Sequence, residues 1–168
     1  LEGEYCFSAS GTSIIYKDEM FVIVTGGQSS RFIKTEDLGE TWFTAKLPFE
    51  SRASSGAYSV AMKNKLEGVV VGGNYKRPED ASKNCFITSD GGKTWKAPTT
   101  KPRGYRSCVI EHKGVYYTCG TTGIDYSLDN GENWSPLTSG KFYTLTVLKN
   151  KLIASATEGR IAKFKLRK

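Results

Sequence analysis

The 168-residue sequence predicts an all-β fold of tandem four-stranded antiparallel units. Three observations carry that prediction. An eight-residue frame is written three times. Short apolar stretches recur in the same order around each copy. No segment shows the 3.6-residue apolar period of an amphipathic helix. The copies are Thr35-Glu36-Asp37-Leu38-Gly39-Glu40-Thr41-Trp42, Thr88-Ser89-Asp90-Gly91-Gly92-Lys93-Thr94-Trp95 and Ser127-Leu128-Asp129-Asn130-Gly131-Glu132-Asn133-Trp134. Their common frame is Ser/Thr, any, Asp, any, Gly, any, Thr/Asn, Trp, and a periodic unit of this kind fixes architecture before any single residue is considered.

Each copy reads as the bend of a hairpin. The carboxylates of Asp37, Asp90 and Asp129 accept hydrogen bonds from backbone N–H groups just downstream, and Gly39, Gly92 and Gly131 supply the positive φ the bend needs. Trp42, Trp95 and Trp134 then bring a large apolar body and one N–H to satisfy. The reading is structural: the Asp locks the turn and the Trp fills space between neighbouring sheets. The common frame fixes one carboxylate per copy, with Glu36, Glu40 and Glu132 at its variable positions, which is too few for a calcium loop. No metal is expected.

The frames bring the other elements into register. First strands fall at Tyr58-Ser59-Val60-Ala61-Met62, Tyr105 to Ile110 and Tyr143 to Leu148. Second strands end at small residues: Met20 to Gly27, Gly68 to Gly73, Val115 to Gly120 and Lys151 to Ala156. A third strand leads into each repeated frame, and a fourth leaves from its Trp. Four-stranded units recurring every 40 residues or so are the blades of a β-propeller. The last unit lacks the frame and ends after its third strand, which gives about four blades, at approximately 10–47, 57–98, 104–137 and 142–168. The chain opens at Leu1-Glu2 without Met. It is therefore expected to be half of a larger propeller, with the other half lost or on another chain, or to close a ring as a homodimer. A compact four-bladed monomer is the alternative. An open half-ring would expose apolar faces and strand edges that invite association.

The repeated frame resembles the Asp-box, or BNR repeat, of sialidase-like β-propellers. The wider pattern resembles the photosystem II stability/assembly-factor-like propellers, many of them bacterial proteins labelled oxidoreductases. It does so at Ser8-Ala9-Ser10-Gly11-Thr12, Gly68 to Lys76, Gly104-Tyr105-Arg106-Ser107 and Gly159-Arg160-Ile161-Ala162-Lys163. The resemblance implies a chaperone-like binding module that holds a membrane-protein subunit through an arginine-rich face. No dinucleotide fingerprint accompanies the repeats, so no cofactor is expected.

Connectivity sorts the loops onto two faces. The Asp-box bends share one face with the first-to-second-strand turns. The second-to-third-strand loops and the links between blades share the other. That second face gathers Arg31, Arg52, Lys76, Arg77, Lys101, Arg103, Arg106, Lys141 and Arg160, a large part of the formal charge of +7. Guanidinium groups there suit bidentate capture of a carboxylate or phosphate. Tyr58 and Tyr105, at the channel entrance, add stacking surface or a phenol. The candidate ligand-binding residues are thus Arg31, Arg52, Tyr58, Arg77, Arg103, Tyr105, Arg106 and Arg160. The expected partner is an anionic protein, peptide or glycan. The alternative is a sialidase-like glycoside hydrolase built from Arg106, Arg160, Tyr105 and Asp125, although the arginine-containing signature of that family is not present. Nucleic acid is disfavoured because the charge lies in loops without an aromatic platform or a groove-reading helix. No apolar run is long enough to span a membrane.

The four cysteines lack CxxC spacing. A two-residue turn at Lys113-Gly114 pairs His112 with Val115 and, counting outward, Cys108 with Cys119 on one hairpin. At that separation either a disulfide or two buried thiols can form. A secreted or periplasmic location is slightly favoured.

Overall fold

A computed structural model describes residues 1–8 and 11–167. Ala9 and Ser10, within the Ser8 to Thr12 segment, and Lys168, at the end of the fourth repeat, lie outside the described residues. The strands in chain order are β1 (Glu4–Tyr5), β2 (Ile14–Lys17), β3 (Met20–Val24), β4 (Gly26–Gly27), β5 (Arg31–Thr35), β6 (Phe43–Lys46), β7 (Ser55–Met62), β8 (Gly68–Asn74), β9 (Cys85–Thr88), β10 (Cys108–His112), β11 (Val115–Gly120), β12 (Gly123–Ser127), β13 (Ser135–Thr138), β14 (Phe142–Leu148), β15 (Lys151–Ala156) and β16 (Ile161–Lys165). They form four antiparallel sheets: β2-β3-β5-β6, β1-β4-β7-β8-β9, β10-β11-β12-β13 and β14-β15-β16.

The sheets stack face to face in chain order. Met20, Val22, Val24 and Phe32 of the first sheet pack on Ala57, Val60, Met62, Val70 and Phe86 of the second. The opposite face of the second sheet (Ala61, Val69, Val71, Cys85, Ile87) packs on Val109, Tyr116 and Trp134. Cys108, Tyr117, Cys119 and Ile124 of the third then meet Phe142, Leu145, Leu152 and Ala154 of the fourth. The burial strings follow from this layering. β8 is buried at every position because both faces are covered, whereas β16 alternates because one face is open. The first strands β2, β7, β10 and β14 lie together on the inside of the stack. There the Lys17 ammonium meets Glu111 at 2.8 Å and ties the first sheet to the third.

The second sheet departs from the four-strand expectation at both edges. After Trp95 the fourth strand shrinks to a single bridge between Ile87 and Lys96. Pro98, which has no N–H, cannot extend that ladder. The chain leaves toward the third sheet instead, where Thr100 bridges Asn133. On the inner edge β4 pairs with β7 through Gly26 and Gly56, and β1 adds outside β4. A side chain at Gly26 would meet the Gly56 Cα at 2.9 Å, so this close pairing needs glycine. The β10–β11 hairpin has the expected register, with Cys108 opposite Cys119. Both are free, buried thiols. A hydrogen bond from Cys119 draws the Cys108 pKa down to about 6, while burial pushes Cys119 up.

Candidate binding face

The three Asp-box bends are built alike. Gly39, Gly92 and Gly131 donate their N–H groups to Thr35 Oγ1, Thr88 Oγ1 and Ser127 Oγ at 2.9, 2.9 and 3.0 Å. Those hydroxyls donate in turn to Asp37, Asp90 and Asp129 at 2.7, 2.9 and 2.7 Å. Each carboxylate then takes the N–H of residue i+4, from Thr41, Thr94 or Asn133, at 2.9, 3.0 and 2.9 Å. The Thr41 and Thr94 side chains are the leading cause that holds Asp37 and Asp90 at a pKa of about 2. Burial works against ionisation at Asp129, but the Asn133 side chain and N–H keep it below the ordinary value. Three acceptor-rich carboxylates, all saturated by their own loops, make a scaffold element.

The tryptophans behave unequally. Trp95 lies 5.2 Å from Phe32 of the preceding sheet and donates its Nε1–H to the Gly92 carbonyl at 3.0 Å. Trp134 is buried among Val69, Val71, Cys85 and Ile87, again on the preceding sheet. Trp42 is 49% exposed. It does not fill an inter-sheet space, because an Asp-box Trp packs backward and no described sheet precedes the first.

On the opposite face the sequence-predicted ligand residues divide into three groups. Arg52 and Arg77 are exposed and share Glu50, at 3.1 and 2.5 Å; Arg77 also meets Asp80 at 3.5 Å. Glu50, Arg77 and Asp80, with Asn74, Ser82 and Lys83, line a cleft of about 170 Å³. Lys83 was not singled out from the sequence; its place in the Asn74 to Asn84 insertion was the available signal. Lys76, Lys83, Lys101 and Lys141 take part in none of the ion pairs among the described residues. Arg160 is exposed on the fourth sheet and bonds to Thr157 Oγ1 at 3.0 Å.

The second group is interior. Arg106, read from the sequence as ligand-facing, is 0% exposed. Its Nη2 donates to Asp125 Oδ2 at 2.5 Å and its Nη1 to the Gly123 carbonyl at 3.0 Å. Arg103 holds the other carboxylate oxygen at 2.7 Å and donates to the Ile124 and Thr138 carbonyls. Burial lowers the Arg106 pKa to about 10 against the opposing pull of Asp125. Arg106 therefore braces the sheet from below the loops. The repeat contained the signal: Asp125 occupies the third-strand slot that Ile33 and Phe86 fill elsewhere, and a carboxylate in an apolar slot demands a buried cation.

The third group is aromatic. Tyr58 and Tyr105, expected at an open channel entrance, are both buried. Phe7 stacks on Tyr58 with centroids 3.8 Å apart and planes 5° apart, and Tyr105 meets Tyr58 edge-on at 4.8 Å. The segment carrying Phe7 is anchored by Glu4, which accepts from Arg31 Nε at 2.8 Å and Thr25 Oγ1 at 2.5 Å. Burial alone would raise the Glu4 pKa, but these bonds hold it at about 2. Glu4 and Phe7 were missed in the sequence. Among the described residues no three His, Cys, Asp or Glu side chains are grouped to hold a metal ion. No described helix is long and apolar enough to cross a membrane.

Comparisons with known proteins fit this geometry. The BNR/Asp-box repeat model matches residues 86–97 and 125–136. No curated relative matches the sequence. The fold is similar to that of YCF48 bound to D1 peptide (TM-score 0.62, 19% identity, covering 96% of this chain and 52% of that one). It is also similar to BamB from Moraxella catarrhalis (TM-score 0.62, 12% identity, 92% and 43%) and to the computationally designed Ika4 protein (TM-score 0.62, 11% identity, 94% and 92%). The chain thus spans about half the length of the YCF48 chain, and at these identities the likeness is one of fold. The chain carries BNR/Asp-box repeats on a β-propeller scaffold of four antiparallel sheets.

Proposed function

We propose that the chain is a non-catalytic binding module that holds an anionic peptide or protein segment on its loop face, at the cleft lined by Arg77 and Lys83, with Arg52 joined to it through Glu50. The observation that carries this reading is the exchangeable ion-pair set around Glu50. Arg52 and Arg77, with side chains 61% and 52% exposed, turn their guanidinium groups on one carboxylate. Exposed pairs of this kind contribute about 0–1 kcal/mol, so an incoming carboxylate competes with Glu50 at small cost. Bidentate capture by the same guanidinium groups then fixes its orientation. Lys76, Lys83 and Lys101, outside the ion pairs among the described residues, add steering that falls with ionic strength. The likeness to a propeller solved with a bound peptide supports a peptide as the ligand class.

The test is titration of fluorescent peptides, one with clustered Asp and Glu and one with the amides in their place, across increasing NaCl. The acidic peptide should bind more tightly, and binding should weaken with salt. Arg52→Ala with Arg77→Ala should loosen it about tenfold, the equivalent of about 1.4 kcal/mol. Equal affinity for the two peptides, or unchanged binding by the double variant, refutes the assigned face.

A further inference from the structure

We propose that the exposed face of the first sheet is an interaction surface for a second copy of this chain, which docks head to tail through the outer face of its fourth sheet. The basis is a contact that the molecule already makes internally. Gly92 of the second Asp-box sits so close to Phe32 of the first sheet that an added Cβ would meet its ring at 2.4 Å. Gly131 of the third sits likewise against Val69 and Ile87 of the second, at 2.7 and 3.0 Å. An added Cβ at Gly39, the equivalent residue of the first box, meets only its own Trp42 within 4 Å. Trp42 is half exposed where Trp134 is 5% exposed. At the other edge of the first sheet, on β2, the outward side presents Ile14 and Tyr16, both more than half exposed, with Tyr16 against Phe21. Ile14 is paired across the sheet with Ile23, and Ile23 with Ile33, so these residues form one apolar row. It is the half of an inter-sheet contact that receives a preceding sheet.

The fourth sheet carries the matching half. Phe32 stands opposite Val24, Cys85 opposite Val71, Ile124 opposite Cys119 and Ile161 opposite Ser155, one equivalent third-strand position in each sheet. The first three are buried under the following sheet, and Ile161 is 69% exposed. Charge runs the same way. On the Asp-box rim the first sheet offers Asp18, Glu19 and Glu40, all exposed and outside every ion pair among the described residues. The fourth sheet offers Lys149, Lys151, Lys163 and Lys165, exposed and equally unpaired. Internal contacts use these positions: Lys63, just after β7, reaches Asn130 of the next Asp-box at 2.8 Å, and Lys96 reaches Glu132 at 2.9 Å. Lys149, just after β14, holds the place of Lys63, and Glu40 holds the place of Glu132, with Leu38 in the place of Asn130, so the charges are opposite in sign across the seam without repeating either bond.

A sheet face of four strands and five residues spans about 17 Å by 19 Å. Two head-to-tail contacts closing by a twofold would bury two such faces and the faces of two three-stranded fourth sheets, about 1,100 Å², just above the lower bound of a biological interface.

The experiment measures the solution mass of the full chain by light scattering at high concentration and low salt. Two variants alter exposed residues only: Tyr16→Glu on the first sheet and Ile161→Glu on the fourth, with far-UV circular dichroism to confirm that each folds. The wild type should have twice the chain mass, and each variant alone should have half of that. An equimolar mixture of the two variants should recover a two-chain species, since one of its two contacts is intact. A wild-type monomer overturns the proposal and leaves this face to a sheet of another polypeptide. A dimer sensitive only to Tyr16→Glu overturns it in favour of a symmetric pairing of first sheets, and a dimer indifferent to both substitutions overturns it outright.

Discussion

At the scale of single residues, the Asp-box hydroxyl does more than the carboxylate that names the motif. Thr88 Oγ1 accepts the buried Gly92 N–H and donates to Asp90. Thr88→Val keeps shape but orphans that N–H, and should cost about 1–3 kcal/mol in urea unfolding. The carboxylates add a pH dependence. Folding lowers the Asp37 and Asp90 pKa values from an ordinary 3.8 to about 2. Their contribution is thus complete above pH 4 and is lost as pH falls toward 2. Asp90→Asn should flatten the decline of the urea midpoint across that window; a constant offset from wild type at every pH would contradict this. A sharper contrast separates the two arginines that the sequence puts on one face. Arg106→Ala takes away the fully buried one of Asp125's two guanidinium partners, while Arg103 still holds the carboxylate at 2.7 Å, and should cost about 1.5–3 kcal/mol. Arg160→Ala, on an exposed side chain, should change the midpoint little. Sequence could not separate them because solvent exposure is set by which loop cation the remote Asp125 captures.

At the scale of elements, the bends were legible because the Ser/Thr, Asp and Gly act within five residues of one another. The hairpin at Lys113-Gly114 was legible for the same reason, and it put Cys108 opposite Cys119 by counting alone. The edges of the second sheet were not. Strand β1 lies far from β4 in sequence, and two-residue strands carry no apolar period to read. Packing between elements gives a paired test. Gly39 and Gly92 have φ values of +99° and +86°, so alanine meets similar backbone strain at both, about 1–2 kcal/mol. Only Gly92→Ala also drives a methyl into the Phe32 ring, which adds about 1–3 kcal/mol of overpacking. The two variants should therefore differ by that increment in chemical denaturation. Equal losses would mean that the second Asp-box does not seat on the first sheet.

At the scale of the whole molecule, repeat architecture was readable from the three frames, while the state of its two free ends depends on what meets them. The stack also decides which thiols react. Cys108 has a lowered pKa and Cys119 a raised one, yet both lie in the seam between the third and fourth sheets, and Cys85 lies between the second and third. Thiolate character without access gives no reaction. Cys6 alone is exposed. An aromatic disulfide reagent at neutral pH should therefore modify one thiol quickly in the native protein and four in denaturant. The three slow thiols should share one rate, because parting any seam removes a neighbour that the next seam needs, and that rate should rise with urea as global opening does. If Cys108 reacts faster than Cys85, the fourth sheet opens by itself, and the stack is a chain of separable layers.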